Sequence, residues 1–183
     1  MAKSVVSIVK GTDADKMVEE ALAHLGGIEA FVKPGATVVL KPNAGHYYTA
    51  ETSVNTNPTL VAAVVKAVRK VNPKEIIIAE ASATGCDSLA CLEVSGIAAA
   101  ALEAGADRII DIKREKDLVE IPIPDARSDI KSIKLPPFLL EADCVINLPI
   151  FKSHVSMVFS CALKNIKGVV QDKVHVQMHQ TDL

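Results

Sequence analysis

With 183 residues, 49% of them apolar and no tryptophan, the chain is long enough for one domain and is built mostly of Ala, Val, Ile and Leu, which suit a buried sheet better than an aromatic binding surface. A chain of this length buries roughly 70% of its unfolded surface, so folding requires no disulfide or metal staple. A net charge of -2 and a pI near 6.2 exclude a global electrostatic pull toward nucleic acid.

In chain order, the β-branched run Ser4–Val9 predicts a first strand. Val18, Ala21, Leu22 and Leu25 then fall on one helical face, and Gly26-Gly27 stops that helix. Thr37–Leu40 predicts a strand that Lys41-Pro42-Asn43 ends, since proline does not continue a central ladder. A polar loop leads to Asn57, an N-cap with Pro58 at the first helical position and Val61, Val64, Val65 and Val68 as the apolar stripe. Glu75–Ala79 is continuously apolar after its first residue and predicts a strand buried on both faces. Helical segments follow over Ser88–Ala104, broken near Gly96, then a strand at Arg108–Ile112 and a hairpin-like stretch over Leu118–Lys134. Pro136-Pro137 opens a helical turn, Cys144–Leu148 predicts another buried strand, and Asp172–Leu183 a terminal helix. Val155–Leu163 reads as helix or strand. The alternation of strand and helix predicts a Rossmann-like layered α/β sandwich with a mostly parallel sheet and helices on both faces. It is read as one domain over residues 1–183, cut short at its C-terminus.

Ligands of an open parallel sheet bind beyond the carboxyl ends of its strands. Three predicted strands end in polar clusters there: Lys41, Asn43 and His46; Glu80, Ser82, Thr84 and Gly85; and Asn147, Lys152, Ser153 and His154. The functional reading is an anion site. Lys41, Lys152 and Lys164 would supply charge, Asn43, Ser82 and the N–H groups of the Gly85 loop would supply donors, and the helix starting at Pro58 would add its dipole. The bland reading is a set of solvated loops. No dinucleotide, Walker or nucleophile-elbow glycine motif is present.

His175 and His179 are spaced i, i+4 and with His154 would make a three-nitrogen metal site; a surface pair is the alternative. Gly168, in Lys164-Asn165-Ile166-Lys167-Gly168, reads as a helix C-cap, which leaves Asn165 without a reason. Of the four cysteines, Cys86 and Cys91 are a redox pair or two ordinary thiols, and Cys144 is read as buried and inert. No C-x-x-C pair and no ferredoxin spacing occurs, so no iron–sulfur cluster motif is carried. No stretch approaches the roughly 20 apolar residues of a membrane span, and no signal peptide is visible, so the expected location is cytoplasmic.

Val38-Val-Leu-Lys-Pro-Asn43, Thr56-Asn-Pro58, Val145-Ile-Asn-Leu-Pro149, Lys152-Ser-His154 and Ala162-Leu-Lys-Asn-Ile-Lys-Gly168 together resemble the domain-of-unknown-function 362 family along nearly the whole chain. The resemblance implies an α/β sandwich with a shared pocket and, in many members, fusion to a ferredoxin-like module. It marks Lys41, Asn43, Lys152, His154, Lys164 and Asn165 as site residues. The ferredoxin cysteines of that module are absent here, and family members run well past residue 183.

Three functions compete. The first is an enzyme on a small carboxylate or phosphate ester, with His154 as general acid or base and Lys152 or Lys164 stabilising developing negative charge. The second is a non-catalytic domain that holds a metal or cofactor beside an iron–sulfur redox partner. The third is a structural domain with solvated loops.

Overall fold

The structure is a computed structural model and describes residues 4–124, 130–154, 158–171, 174, 176 and 177. Helix α1 (Ala14–Ala23) starts where the Asp13 carboxylate accepts the Lys16 N–H at 3.1 Å, satisfying one open donor of the first turn. Strand β1 (Thr37–Pro42) leads through a long loop to α2 (Pro58–Arg69). That helix is capped by the Asn57 side chain, which accepts the Thr59 N–H at 2.9 Å. Strand β2 (Glu75–Glu80), helices α3 (Ser88–Val94) and α4 (Ile97–Glu103), and strand β3 (Arg108–Asp111) follow. Gly96 makes the break between the two helices at φ +76°, a conformation that a β-carbon disfavours.

An antiparallel pair, β4 (Val119–Pro122) and β5 (Ser132–Leu135), then gives way to the short helix α5 (Pro137–Leu140) and strand β6 (Cys144–Leu148). A second antiparallel pair, β7 (Lys152–His154) and β8 (Val158–Ser160), precedes α6 (Ala162–Ile166) and a 3-10 turn over Lys167–Val169.

The central sheet is four-stranded and parallel, in the order β3-β2-β1-β6. The chain steps outward from β1 to β2 to β3, then returns to the opposite side of β1. The direction of winding therefore reverses between β1 and β6, and such a reversal opens a crevice at the carboxyl ends of the two strands.

The core forms on both faces because successive side chains of a strand point to opposite sides. Val38, Leu40, Ile76 and Ile78 pack with Val18 of α1, Val61 and Val65 of α2, and Leu92 and Ile97 of α3 and α4. Val39, Ile77 and Ala79 face the other way, against Phe138 and Leu139 of α5 and Val169 of the terminal turn. Each such side chain contributes about 1.5–3 kcal/mol by leaving water. The expected α/β layering with a parallel sheet is therefore what the chain adopts. Among the described residues, no helix is long and apolar enough to cross a membrane.

Three expectations are corrected. Ser4–Val9 is not a strand, and Val5, Val6 and Ile8 are 70%, 79% and 88% exposed. Its β-branched composition favours extended backbone, but a strand also needs a ladder, and the segment pairs with none of the strands of the sheet. Strand β1 does not end before Lys41: its ladder with β2 stops at Leu40, while the one with β6 runs on to Pro42. The missing proline N–H thus falls where β1 is paired on one side only. Strand β6 is an edge strand rather than a buried one, with Val145 40% exposed and Cys144 only half-buried.

Candidate functional site

The carboxyl ends of β1, β2 and β6 carry Lys41, Glu80 and Asn147, and the β1–β6 register sets Lys41 beside Asn147. Lys41 is 1% exposed and Glu80 2%, and they form an ion pair, Nζ to Oε1, at 2.5 Å. Burying a charge costs several kcal/mol unless its remaining bonds are met. Here they are met by backbone. Lys41 Nζ also donates to the Pro42 carbonyl at 2.9 Å, and the Glu80 carboxylate accepts the Ala81 and Ala44 N–H groups at 2.9 and 2.8 Å. Burial pulls the Lys41 ammonium below its ordinary value, and the charge and hydrogen bond of Glu80 oppose that pull.

Asn165, on α6, brings the end of the chain onto this pair. Its Nδ2 donates to Asn147 Oδ1 at 2.7 Å and to the carbonyls of Lys41 and Pro42 at 3.2 and 3.3 Å. Its Oδ1 accepts from Asn43 Nδ2 at 3.0 Å. Acceptors on one side and a donor on the other fix the orientation of the amide. Thr56 ties the two strand ends together, accepting the Asn43 N–H at 2.8 Å and donating to the Leu148 carbonyl at 2.7 Å. Gly168 completes the seal: a β-carbon there would stand 2.7 Å from both Glu80 Oε1 and Lys41 Nζ. The expectation of a C-cap glycine is corrected, because Gly168 lies at φ -72° and is needed for close approach, not for a left-handed turn.

Above this network is a cleft of about 190 Å3, lined by Lys41, Glu80 and Asn165 together with Lys152, His154, Lys164 and His46. Lys152 Nζ donates to Asn43 Oδ1 at 2.8 Å and to the Val54 carbonyl at 2.7 Å. Burial lowers its affinity for a proton, and the Lys164 and Lys41 ammonium groups lower it further against the opposing charge of Glu80. Lys164 is pushed down by burial. Lys167, beside it, is pushed down to about 8 by burial and then by the charge of Lys164. His46 is held below its ordinary value by burial and then by Lys152, which favours the neutral imidazole. Among the described residues, the one carboxylate lining the cleft is Glu80, and it is paired with Lys41.

A larger groove of about 390 Å3 lies between α1 and α2, lined by Val18, Leu22 and the stems of Lys66 and Lys70. Those two lysines are tied to Asp15 and Glu19 at 2.8 and 3.3 Å, so the cations of the groove are committed to surface ion pairs.

The structure brings together Lys41, Asn43, Lys152, His154, Lys164 and Asn165, six of the residues singled out in the sequence. Ser82 is not among the cleft residues, and its hydroxyl donates to the Ala44 carbonyl at 2.5 Å, bracing the loop after β1. The start of α2 is capped by Asn57 and does not line the cleft, nor does Gly85. Lys41 lines the cleft, but its charge is met by Glu80. His175 and His179 lie outside the described residues, as does most of the predicted terminal helix. Among the described residues, no three His, Cys, Asp or Glu side chains gather as a metal ion or cluster would require. Cys91 is buried and burial pushes its thiol up, while Cys86 Sγ stands 3.7 Å from His46 Nδ1.

The sequence reading placed His46, Glu80 and Asn147 in the polar clusters at the strand ends but gave them no role, and it did not count Thr56 or Gly168 among the site residues. Glu80 carried a signal, as a carboxylate closing a continuously apolar strand. Gly168 carried none that spacing could decode, because its role lies in what stands opposite it.

Residues 38–183 match the family profile described as Domain of unknown function (DUF362). The chain is also similar to the thylakoid-associated protein sll1697 of Synechocystis sp., with 31% identity over 166 residues that cover 86% of this chain and 46% of that protein. The chain thus spans less than half the length of that curated relative. No solved structure matches. The matched residues contain β2, β6, all of β1 but Thr37, and every described side chain of the cleft, and the chain belongs to the DUF362 family.

Proposed function

We propose that the cleft at the β1–β6 crevice binds a small anionic molecule and that the protein acts on it by proton transfer. The carrying observation is the juxtaposition of Lys152 and Lys164 in one cleft, close enough that the charge of Lys164 acts on Lys152, while Glu80 is engaged by Lys41. Burial disfavours both ammonium groups, and the charge of Lys164 further lowers the proton affinity of Lys152, a penalty that a bound anion would relieve. His154 lines the same cleft and is the group proposed to take or give the proton, since an imidazole titrates near neutral pH. Lys152 would stabilise negative charge as it develops on the substrate.

The test is native mass spectrometry of the purified chain and of Lys152→Met, followed by turnover assays on any anion retained. Co-purification of an anion that is lost in Lys152→Met, and turnover lost but binding kept in His154→Ala, is the expected result. Full turnover in His154→Ala would remove its role. Equal retention of the anion in Lys152→Met would place the binding site elsewhere.

A further inference from the structure

We infer that Cys86 and Cys91 are a redox-active dithiol, with Cys86 the attacking sulfur, His46 its proton acceptor and Cys91 the resolving sulfur, and that the pair closes to an intramolecular disulfide by exchange with a small-molecule disulfide. None of this depends on which ligand the cleft takes.

The local sequence builds the pair. Asp87 caps α3, accepting the Ala90 N–H at 2.9 Å, and the Cys91 N–H closes the first helical turn on the Asp87 carbonyl at 3.0 Å. Cys86 therefore precedes the cap and Cys91 is the fourth residue of the helix, the two positions whose side chains pack together in a hydrophobic staple. The cap is braced from outside, since the Asp87 N–H donates to the Tyr47 hydroxyl at 2.6 Å and Arg114 pairs with its carboxylate. Cys91 is part of the core cluster and Cys86 packs against it. The two thiols act on each other. That of Cys91 is pushed up by burial, pulled back by a hydrogen bond with Ser82, and pushed up again by the charge and hydrogen bond of Cys86.

The two sulfurs differ in the way exchange requires. Cys86 is half-buried, and its Sγ stands 3.7 Å from His46 Nδ1. Burial and then the charge of Lys152 favour the neutral imidazole, which accepts the thiol proton and leaves the nucleophilic thiolate. The backbone beside it is open: a β-carbon on Gly85 would meet nothing within 4 Å, which leaves room for a small disulfide. Cys91 has no exposed surface, so it is placed to attack only a sulfur already beside it.

In the first step the Cys86 thiolate attacks one sulfur of the small disulfide. A mixed disulfide forms, and the departing thiolate takes the proton held by His46. The Cys91 sulfur then attacks Cys86 Sγ, and its proton leaves with the second small thiol. Two protein thiols and one small disulfide thus become one protein disulfide and two small thiols, with no other oxidant. The bridge takes Cys86 Sγ away from His46, a residue of the cleft.

The test exposes the full chain, reduced and freed of reductant, to oxidised glutathione, and follows the products by intact mass and peptide mapping. Loss of two hydrogens, mapped to a Cys86–Cys91 bridge and formed about tenfold faster in the folded chain than in the urea-unfolded one, is expected. Variants are checked by circular dichroism. Folded Cys91→Ser is expected to stop at a glutathione adduct on Cys86, and folded His46→Asn to react about tenfold more slowly. A bridge formed no faster in the folded chain, or uptake of glutathione without bridging, overturns the dithiol. A first adduct on Cys91 overturns the choice of attacking sulfur, and an unchanged rate in folded His46→Asn overturns the role of His46.

Discussion

Gly168 stands against Glu80 so closely that a β-carbon on residue 168 would lie 2.7 Å from Glu80 Oε1. Neither partner has room to yield, since Glu80 is held by Lys41 and by two backbone N–H groups, and the Gly168 carbonyl accepts the Ala81 N–H at 3.0 Å. Gly168→Ala is therefore expected to cost about 1–3 kcal/mol, the usual range for overpacking a filled site. Urea denaturation checks it, and an unchanged midpoint would show that the terminal turn lifts away freely.

The Lys41–Glu80 pair makes an asymmetric prediction. Glu80→Ala leaves a buried ammonium with no counter-charge and is expected to cost about 3–5 kcal/mol. Lys41→Met with Glu80→Leu removes both charges and is expected to be more stable than either single variant. A double-mutant cycle reads the coupling directly, and additive single costs would argue that the two groups do not depend on each other.

Asn165 joins three segments through one amide. In Asn165→Ala, Asn43 Nδ2 loses its acceptor and Asn147 Oδ1 its donor. Each buried group left unmet costs about 1–3 kcal/mol. Thermal melting should show the loss, and hydrogen exchange should show it concentrated at the ends of β1 and β6. Protection lost evenly across the sheet would speak against a local role.

Lys167 predicts a pH dependence whose sign is fixed. Its folded value, pushed down to about 8, lies below the ordinary 10.5 of an unfolded lysine, so the unfolded chain binds more protons between those values. Stability contributed through Lys167 therefore rises as pH rises from about 8 toward 10.5, and its penalty is fully present below about 8. Lys167→Met should be more stable than wild type at pH 7, with the gap closing by pH 10.5. Urea midpoints across that range measure the gap, and a constant difference would refute the linkage.

Much of the frame was legible because its signals are local. The continuous apolar run through Ile76, Ile77 and Ile78 marked a buried strand, and Asn57-Pro58 marked a helix start. The candidate site was legible in part because parallel strands bring their carboxyl ends to one edge, and six predicted residues met there. The strand expected at Ser4–Val9 failed for the complementary reason: propensity is local, whereas a ladder is formed with a distant strand and is decided by tertiary packing.

The sequence by itself determined the period of its apolar residues, hence which segments are strands and helices and which faces they bury. Only the tertiary structure decided the partners. Lys41 meets Glu80 across 39 residues, and Asn43 meets Asn165 across 122, and no periodicity carries information over such separations. The order of strands decides those meetings, because it sets which chain ends share the crevice where the winding reverses. That is why Lys41, which reads as a free cation in the sequence, is a neutralised one in the fold.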